Sequence, residues 1–388
     1  MISDRQSRIA LTIIFASTGF FTGTWFARIP AVKSAFHLSN GRLGLALACT
    51  TIGAVIASPL AGFLSSRLGS QNLLRLSAPA TALTFAGMGL APSVPALVVA
   101  LSLMGVMNGF VQVSMNAQAV ALEGRYGRTI LSTMHGGFSI GMMAGALVAA
   151  LAAWLGVSYH VNLVVVSALL FCVAIAIGFF LLDAEKTALA HHRRMHLSLA
   201  LVVLIVVAFF ELFCEGAATA WSAVYTRHVG GSGAIAALVF AAYSLTMTAG
   251  RLRGDRIVLR LGVGGVVGLG ALIATAGMAL AVAVPMRTFV LVGFALYGLG
   301  LSCLAPTLFR AAGQLPLPEG QGIAALLGAA WPAFLLVGPL IGGIADATSL
   351  RTALLVPVGA ALVVLALSGV LGRVAPVPAG MTESEPAL

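Results

Sequence analysis

Apolar runs of membrane length recur along the whole chain, separated by short polar breaks. Twelve can be marked, at 9–30, 38–64, 72–92, 95–121, 131–155, 160–182, 198–226, 233–258, 262–284, 287–311, 321–345 and 351–372. A helix rises 1.5 Å per residue, so about 20 apolar residues cross a bilayer core. Each run therefore predicts one transmembrane helix. Helix is the form lipid permits, because an open backbone cannot satisfy its polar groups there. The runs are too long and too continuously apolar for the period-2 strands of a β-barrel. The first run follows Arg5 and Arg8, as a signal peptide would. It is too long, lacks a small-x-small cleavage site and has eleven similar runs behind it, so it reads as the first span.

Composition agrees with the pattern. The 388 residues are 60% hydrophobic and only 8% charged, against roughly 25% charged in soluble domains. The formal net charge of +10 would suit nucleic acid, but its distribution does not. With a cytoplasmic N-terminus, most Lys and Arg fall on the cytoplasmic side, among them Arg67, Arg75, Arg125, Arg128, Arg193, Arg194, Arg251, Arg253, Arg256 and Arg260. That is the positive-inside pattern. Arg28, Lys33 and Arg42 break it at the first outer loop. The expected surroundings are a lipid bilayer and no nucleic acid. Cys49, Cys172, Cys214 and Cys303 lie within apolar spans without metal-ligand spacing and read as small buried hydrophobes. His191, His192 and His196 read as part of a basic loop at lipid headgroups rather than a metal site. The "GVGGVVGLG" run at Gly262 lacks nucleotide-fingerprint spacing, and no Walker-type loop occurs, so ATP is not the energy source. No metal, cofactor or catalytic constellation is expected, which sets aside an enzyme.

One long polar connector, "DAEKTALAHHRRMH" from Asp183, divides the spans six and six. The halves echo each other. Arg67-Leu68-Gly69 follows the second span and Arg260-Leu261-Gly262 the eighth. Trp25 and Trp221 occupy the first and seventh; Gly141 and Gly145 in the fifth match Gly338 and Gly342 in the eleventh. Three matches at nearly one offset predict a duplicated six-helix unit, a common transporter plan. The expected organisation is an N-terminal six-helix bundle at 1–183, a cytoplasmic linker at 184–197, a C-terminal six-helix bundle at 198–373 and a cytoplasmic tail at 374–388.

Five stretches carry a resemblance: "TWFARIPAVK" at Trp25, "MNAQAVALEGRYGR" at Met115, "MHGGFSIGMMAG" at Met134, "CEGAATAWSAVY" at Cys214 and "TMTAGRLRGDR" at Thr246. Over essentially its full length the chain resembles the major facilitator superfamily, within it a bacterial branch of uncharacterised permeases related to sugar and fucose permeases. The resemblance implies an all-α integral membrane protein with 12 transmembrane helices in two pseudo-symmetric six-helix bundles around a central cavity. It also implies alternating access, often proton coupling, and a cavity lined by helices 1, 4, 7 and 10. The chain departs from the family pattern where acids are customary: Ser66 stands before the motif arginine, Gln112 one turn before Asn116, and Ala220 before Trp221. Glu215 matches a family position, whereas Glu211 looks like an addition.

The candidate chemistry centres on that pair. A spacing of four puts Glu211 and Glu215 on one helix face, roughly 5–6 Å apart at Cβ, with Thr219 and Ser222 on the same polar face. A charge at mid-bilayer costs about 2.5–3.5 kcal/mol, so the face must point into protein or water. Two close carboxylates in such surroundings do not both stay ionised near neutral pH. Glu215 is expected to be the principal proton-linked group and Glu211 its modulator; an inert structural hydrogen bond is the competing account. Arg310 is the expected counter-charge. Asn108, Gln112 and Asn116 form one amide stripe, with Glu123 beyond it, and amides suit hydroxylated solutes; helix–helix glue is the alternative. Gln112 and Asn116 are expected in the cavity with Trp25, Trp221 and Tyr243. Arg28 holds an anionic group or a gating carboxylate there, or else snorkels outward. Arg67 and Arg260 are the gating-loop candidates.

These readings converge on a secondary active transporter of a small polar solute, sugar-like or an organic metabolite, coupled to protons. It is expected as a monomer in the bacterial cytoplasmic (inner) membrane, multi-pass, with both termini cytoplasmic. The alternatives are a proton-antiporting drug or metabolite exporter and a non-transporting sensor on the same fold. Drug exporters of the family that this chain resembles customarily carry a Gly-Pro pair in the fifth span, where this chain has Gly145-Ala146, which counts against the first; the missing acids at Gln112 and Ala220 motivate the second.

Overall fold

A computed structural model of the protein describes residues 3–126, 130–182, 198–317 and 321–374. The predicted connector at 184–197, its histidines included, and the tail from 375 lie outside the described residues, as does Arg128.

The described chain is all helical, with twelve helices long and apolar enough to cross a membrane: α1 (Asp4–Ala35), α2 (Asn40–Leu68), α3 (Ser70–Leu90), α4 (Val94–Tyr126), α5 (Thr133–Trp154), α6 (Tyr159–Gly178), α7 (Leu199–His228), α8 (Gly233–Arg251), α9 (Arg260–Ala283), α10 (Arg287–Gly313), α11 (Gln321–Ala347) and α12 (Leu350–Arg373). Several outrun their hydropathy signal. α1 starts at Asp4 rather than residue 9 because Ser3 and Gln6 close a reciprocal capping box, which satisfies amide groups that a helix start otherwise leaves open. α10 is interrupted after Leu301 and α11 at Trp331.

Three connections share one construction. α1 ends at His37 (φ 48), α5 at Gly156 (φ 74) and α7 at Gly230 (φ 81). In each, the next amide reaches back into the last turn: Leu38 to Lys33 at 3.0 Å, Val157 to Ala152 at 2.8 Å and Gly231 to Thr226 at 2.9 Å. A serine then caps the following helix, Ser39 on Arg42, Ser158 on Val161 and Ser232 on Ile235. Left-handed backbone at C′ is the usual helix stop. The duplicated Arg-Leu-Gly stretches also match in backbone, since Gly69 has φ 84 and Gly262 φ 67.

Two compact units emerge. One comprises α1–α6 with the segment Ser232–Ala241 of α8; the other comprises α7, the rest of α8 and α9–α12. In the first, glycines bring α1 and α5 into backbone contact. A Cβ at Gly141 would lie 2.0 Å from the Ala16 carbonyl oxygen, and one at Gly145 2.1 Å from that of Phe20. These glycines are packing sites between the two helices. A core of Leu11, Phe15, Leu74, Met115, Met134 and Leu181 closes one end.

Helix C-termini, with their partial negative charge, receive side chains from neighbouring helices. Arg75 Nε donates to the Gly178 carbonyl at the end of α6, and Arg351 donates to Val282 and Ala283 at the end of α9. Gln118 is buried, donates to Ser70 Oγ and the Leu182 carbonyl, and accepts from the Leu182 amide.

Candidate functional site

The acidic pair of α7 sits in a polar cluster of the second unit. α7 is almost wholly enclosed from Glu211 to Thr226, with Glu215 the partly exposed exception. Glu211 is 1% exposed, and neither carboxyl oxygen has a hydrogen-bond partner among the described residues. Burying an ionised carboxylate that way is expensive. Glu215 differs. Its side chain is 20% exposed, and Oε2 lies 3.6 Å from Nη2 of Arg251, itself 28% exposed, at the end of α8. Glu211, Glu215 and Arg251 lie within electrostatic reach of one another. Tyr243 of α8 is fully buried and within reach of all three; Tyr297 of α10 reaches Glu211, Tyr243 and Cys214. Close packing of α8 on α10 fixes the tyrosines, since a Cβ at Gly298 would meet the Tyr243 carbonyl oxygen at 2.4 Å. The cluster sets one carboxyl against one cation, with a second carboxyl enclosed behind it.

The other expected site residues are placed as follows. Thr219 Oγ1 bonds back to the Glu215 and Gly216 carbonyls, both at 3.0 Å. Trp221 and Ser222 are fully buried, and neither Trp221 Nε1 nor Ser222 Oγ has a partner among the described residues. In the first unit, Trp25 is buried in α1. Arg28 is buried too, its Nε donating to Asn162 Oδ1 at 2.7 Å and Nη2 to the Val157 carbonyl at 2.9 Å. The guanidinium thereby staples α1 to the α5–α6 turn. Gln112 and Asn116 are half-buried on α4, with Asn116 Nδ2 on the Gln112 carbonyl at 2.8 Å. Glu123 Oε1 accepts from the Ile130 and Leu131 amides and so caps the start of the fifth helix. Arg67 lies over the Phe63 ring, 4.5 Å from its centroid, and Arg260 is exposed at the start of α9.

The structure thus brings together Glu211, Glu215 and Tyr243 and leaves the α1 and α4 residues in the other unit. Sequence reasoning missed Arg251 and Tyr297. It looked to Arg310 for the cation at Glu215; the ion pair comes from Arg251, which had been read as one more arginine of the positive-inside set. The signal available was its place inside the apolar run marked at 233–258, where its stem could lie along the helix.

Comparison with known proteins agrees with this architecture. A family model of the Major Facilitator Superfamily matches residues 9–325. An uncharacterised transporter of Sinorhizobium fredii is 33% identical over 350 residues, covering 87% of this chain and 90% of that one. An uncharacterised MFS-type transporter of Yersinia pestis is 32% identical over 358 residues, covering 90% and 91%. Among solved structures, the nucleoside transporter NupG superposes with a TM-score of 0.74 at 13% identity over 94% of this chain and 98% of that one. A D-xylose-proton symporter superposes with a TM-score of 0.75 at 15% identity over 96% and 98%. Identities that low speak to the fold alone.

Proposed function

The chain belongs to the major facilitator superfamily and is a transporter of that type, and on that premise we propose that it carries a small polar solute through the bacterial cytoplasmic membrane by alternating access, coupled to protons. The observation that carries the proton link is the Glu211–Glu215–Arg251 cluster. Glu215 is the principal proton-linked group, because it alone of the two acids has both a cation and some exposure. The Arg251 guanidinium stands 3.6 Å from the Glu215 carboxyl, and a change of access that parts the two is the step proposed to link that carboxyl to protons. Glu211, enclosed beside it, modulates the pair. Gln112 and Asn116 supply hydrogen bonds for a hydroxylated solute, with Trp25, Arg28, Thr219, Trp221, Ser222 and Tyr243 completing the proposed solute-binding set. Structural neighbours named as a nucleoside transporter and a D-xylose-proton symporter point the same way. Arg67 and Arg260 mark gating loops on the cytoplasmic side, where both termini also lie.

The test is uptake into proteoliposomes under an imposed pH gradient, with sugars, organic acids, amines and drugs as solutes. One proton moving down one pH unit releases about 1.36 kcal/mol, or roughly tenfold accumulation. Glu215→Gln should bring accumulation to the equilibrium ratio while exchange persists, and Glu211→Gln should shift the pH profile. Undiminished accumulation by Glu215→Gln would show the carboxyl to be structural. Binding without movement of any solute would identify a sensor.

A further inference from the structure

A cavity of about 40 Å³ lies inside the first unit, between α1, α3, α4 and α6. Its walls are mostly apolar, among them Ile14, Val111, Leu170 and Ala174. Three hydroxyl residues, Ser17, Thr18 and Thr81, share them. None of these residues belongs to the set proposed to hold the solute. The helices around the gap are pinned. Phe21 packs on Phe85 with ring centroids 4.3 Å apart and joins α1 to α3. Ser167 donates to the Ala82 carbonyl and Arg75 to that of Gly178, so α6 is tied to α3 both before Leu170 and after Ile177. Helices fixed in this way collapse only partly onto a void, and a void left empty lowers stability.

The hydroxyls are not equivalent. Thr12, Thr18, Thr22 and Thr24 of α1 each donate to the carbonyl four residues back, a common recourse of a helical hydroxyl. Ser17, in the same stretch, makes no such bond among the described residues, and it lines the cavity. Its hydrogen is left for whatever occupies the space. Thr18 Oγ1 gives its own to the Ile14 carbonyl at 2.9 Å, and Thr81 Oγ1 to the Ser77 carbonyl at 2.8 Å. A hydroxyl oxygen that has donated can still accept. One donor and two acceptors therefore border a mainly apolar space. Room exists for about three water-sized groups, and each water needs two to four polar partners. One water is satisfied beside the hydroxyls; the remaining space offers a second one little.

We propose that this cavity binds a small amphiphile of the alcohol class. The ligand's hydroxyl accepts from Ser17 and donates to Thr18 or Thr81, while a short alkyl chain fills the apolar remainder. Each methylene that leaves water for the cavity multiplies affinity about fourfold, until the space is full. That limit separates the cavity from the bilayer, which goes on gaining with every methylene.

The test uses the full chain in lipid nanodiscs and a photoreactive probe, a butanol carrying a diazirine. Labelling should saturate, and peptide mapping should place it on cavity residues of α1, α3 or α6. Propanol and butanol should compete, the second about fourfold more strongly, and hexanol should do no better than butanol. Ala174→Leu fills the space and should abolish the saturable labelling. Ser17→Ala removes one oxygen, disturbs packing least, and should weaken the labelling several-fold. Labelling that rises linearly with concentration, or that maps to exposed positions such as Leu169 and Ile175, overturns the site. So does competition that keeps growing through hexanol, or labelling that survives Ala174→Leu. Saturable labelling unchanged by Ser17→Ala overturns the recognition of the hydroxyl.

Discussion

Breaking the Glu215–Arg251 pair from each side separately, and then from both, measures what holds the acid. Unit charges 3.6 Å apart attract by about 4–5 kcal/mol at an effective dielectric near 20, before desolvation is counted. Both groups keep part of their exposure, which lowers the net coupling to about 1–3 kcal/mol. Glu215→Gln leaves Arg251 without its acid, and Arg251→Gln leaves a carboxylate beside Glu211 without its cation. Each single change should cost about 1–3 kcal/mol in denaturant unfolding of the purified protein in micelles, followed by tryptophan fluorescence. Arg251→Gln should cost more, because it leaves two acids together. The double variant should lose less than the sum of the two, by that coupling of about 1–3 kcal/mol. If the losses add to within about 0.5 kcal/mol, the pair carries no coupling. The account of Glu215 as a carboxylate held by a movable cation then falls.

Other consequences can be checked in the same preparation. Gly141→Ala drives a methyl group to 2.0 Å from the Ala16 carbonyl oxygen and should cost about 1–3 kcal/mol or block folding, whereas Gly136→Ala, with open space around it, should be neutral in the same unfolding assay. Gly230→Ala forces a side chain into the left-handed region at φ 81 and should cost about 1–2 kcal/mol, with Gly343→Ala as the unstrained control. Asn162→Ala removes the acceptor of Arg28 Nε and should cost about 1–3 kcal/mol, read as earlier unfolding. Cysteines at the exposed positions Asn72 and Leu261 should resist an impermeant reagent added to intact cells and react in inverted vesicles; labelling from outside would reverse the proposed topology.

Much of the fold was legible because lipid imposes a simple rule on sequence, and the twelve runs obey it. Their ends were less so. A capping box at Ser3 and Gln6 is polar, and it extends α1 where hydropathy has already fallen. The pairing of Glu211 with Glu215 could be read because helical periodicity is local. Arg251 could not be paired with Glu215, because that contact depends on how α8 packs against α7. Arg28 illustrates a second limit. Its position beside Trp25 suggested solute contact or snorkelling, whereas its hydrogen bonds go to Val157 on the α5–α6 turn and Asn162 in the first turn of α6. The interruption of α11 was written in the sequence as Trp331-Pro332, but proline occurs in several spans, and Pro30, Pro59 and Pro79 lie inside helices that run on unbroken.

The left-handed stop followed by a serine cap has a mechanical consequence. Between the last turn of α1 and the cap of α2, or of α5 and α6, there is almost no spare chain. One helix cannot advance by a full turn of about 5.4 Å past its partner without tearing out both the back-bonded amide and the serine cap. Each of these hairpins therefore behaves as a single stiff lever. Strain applied at one end is delivered to the other, and a tag or inserted loop should not be placed at those corners.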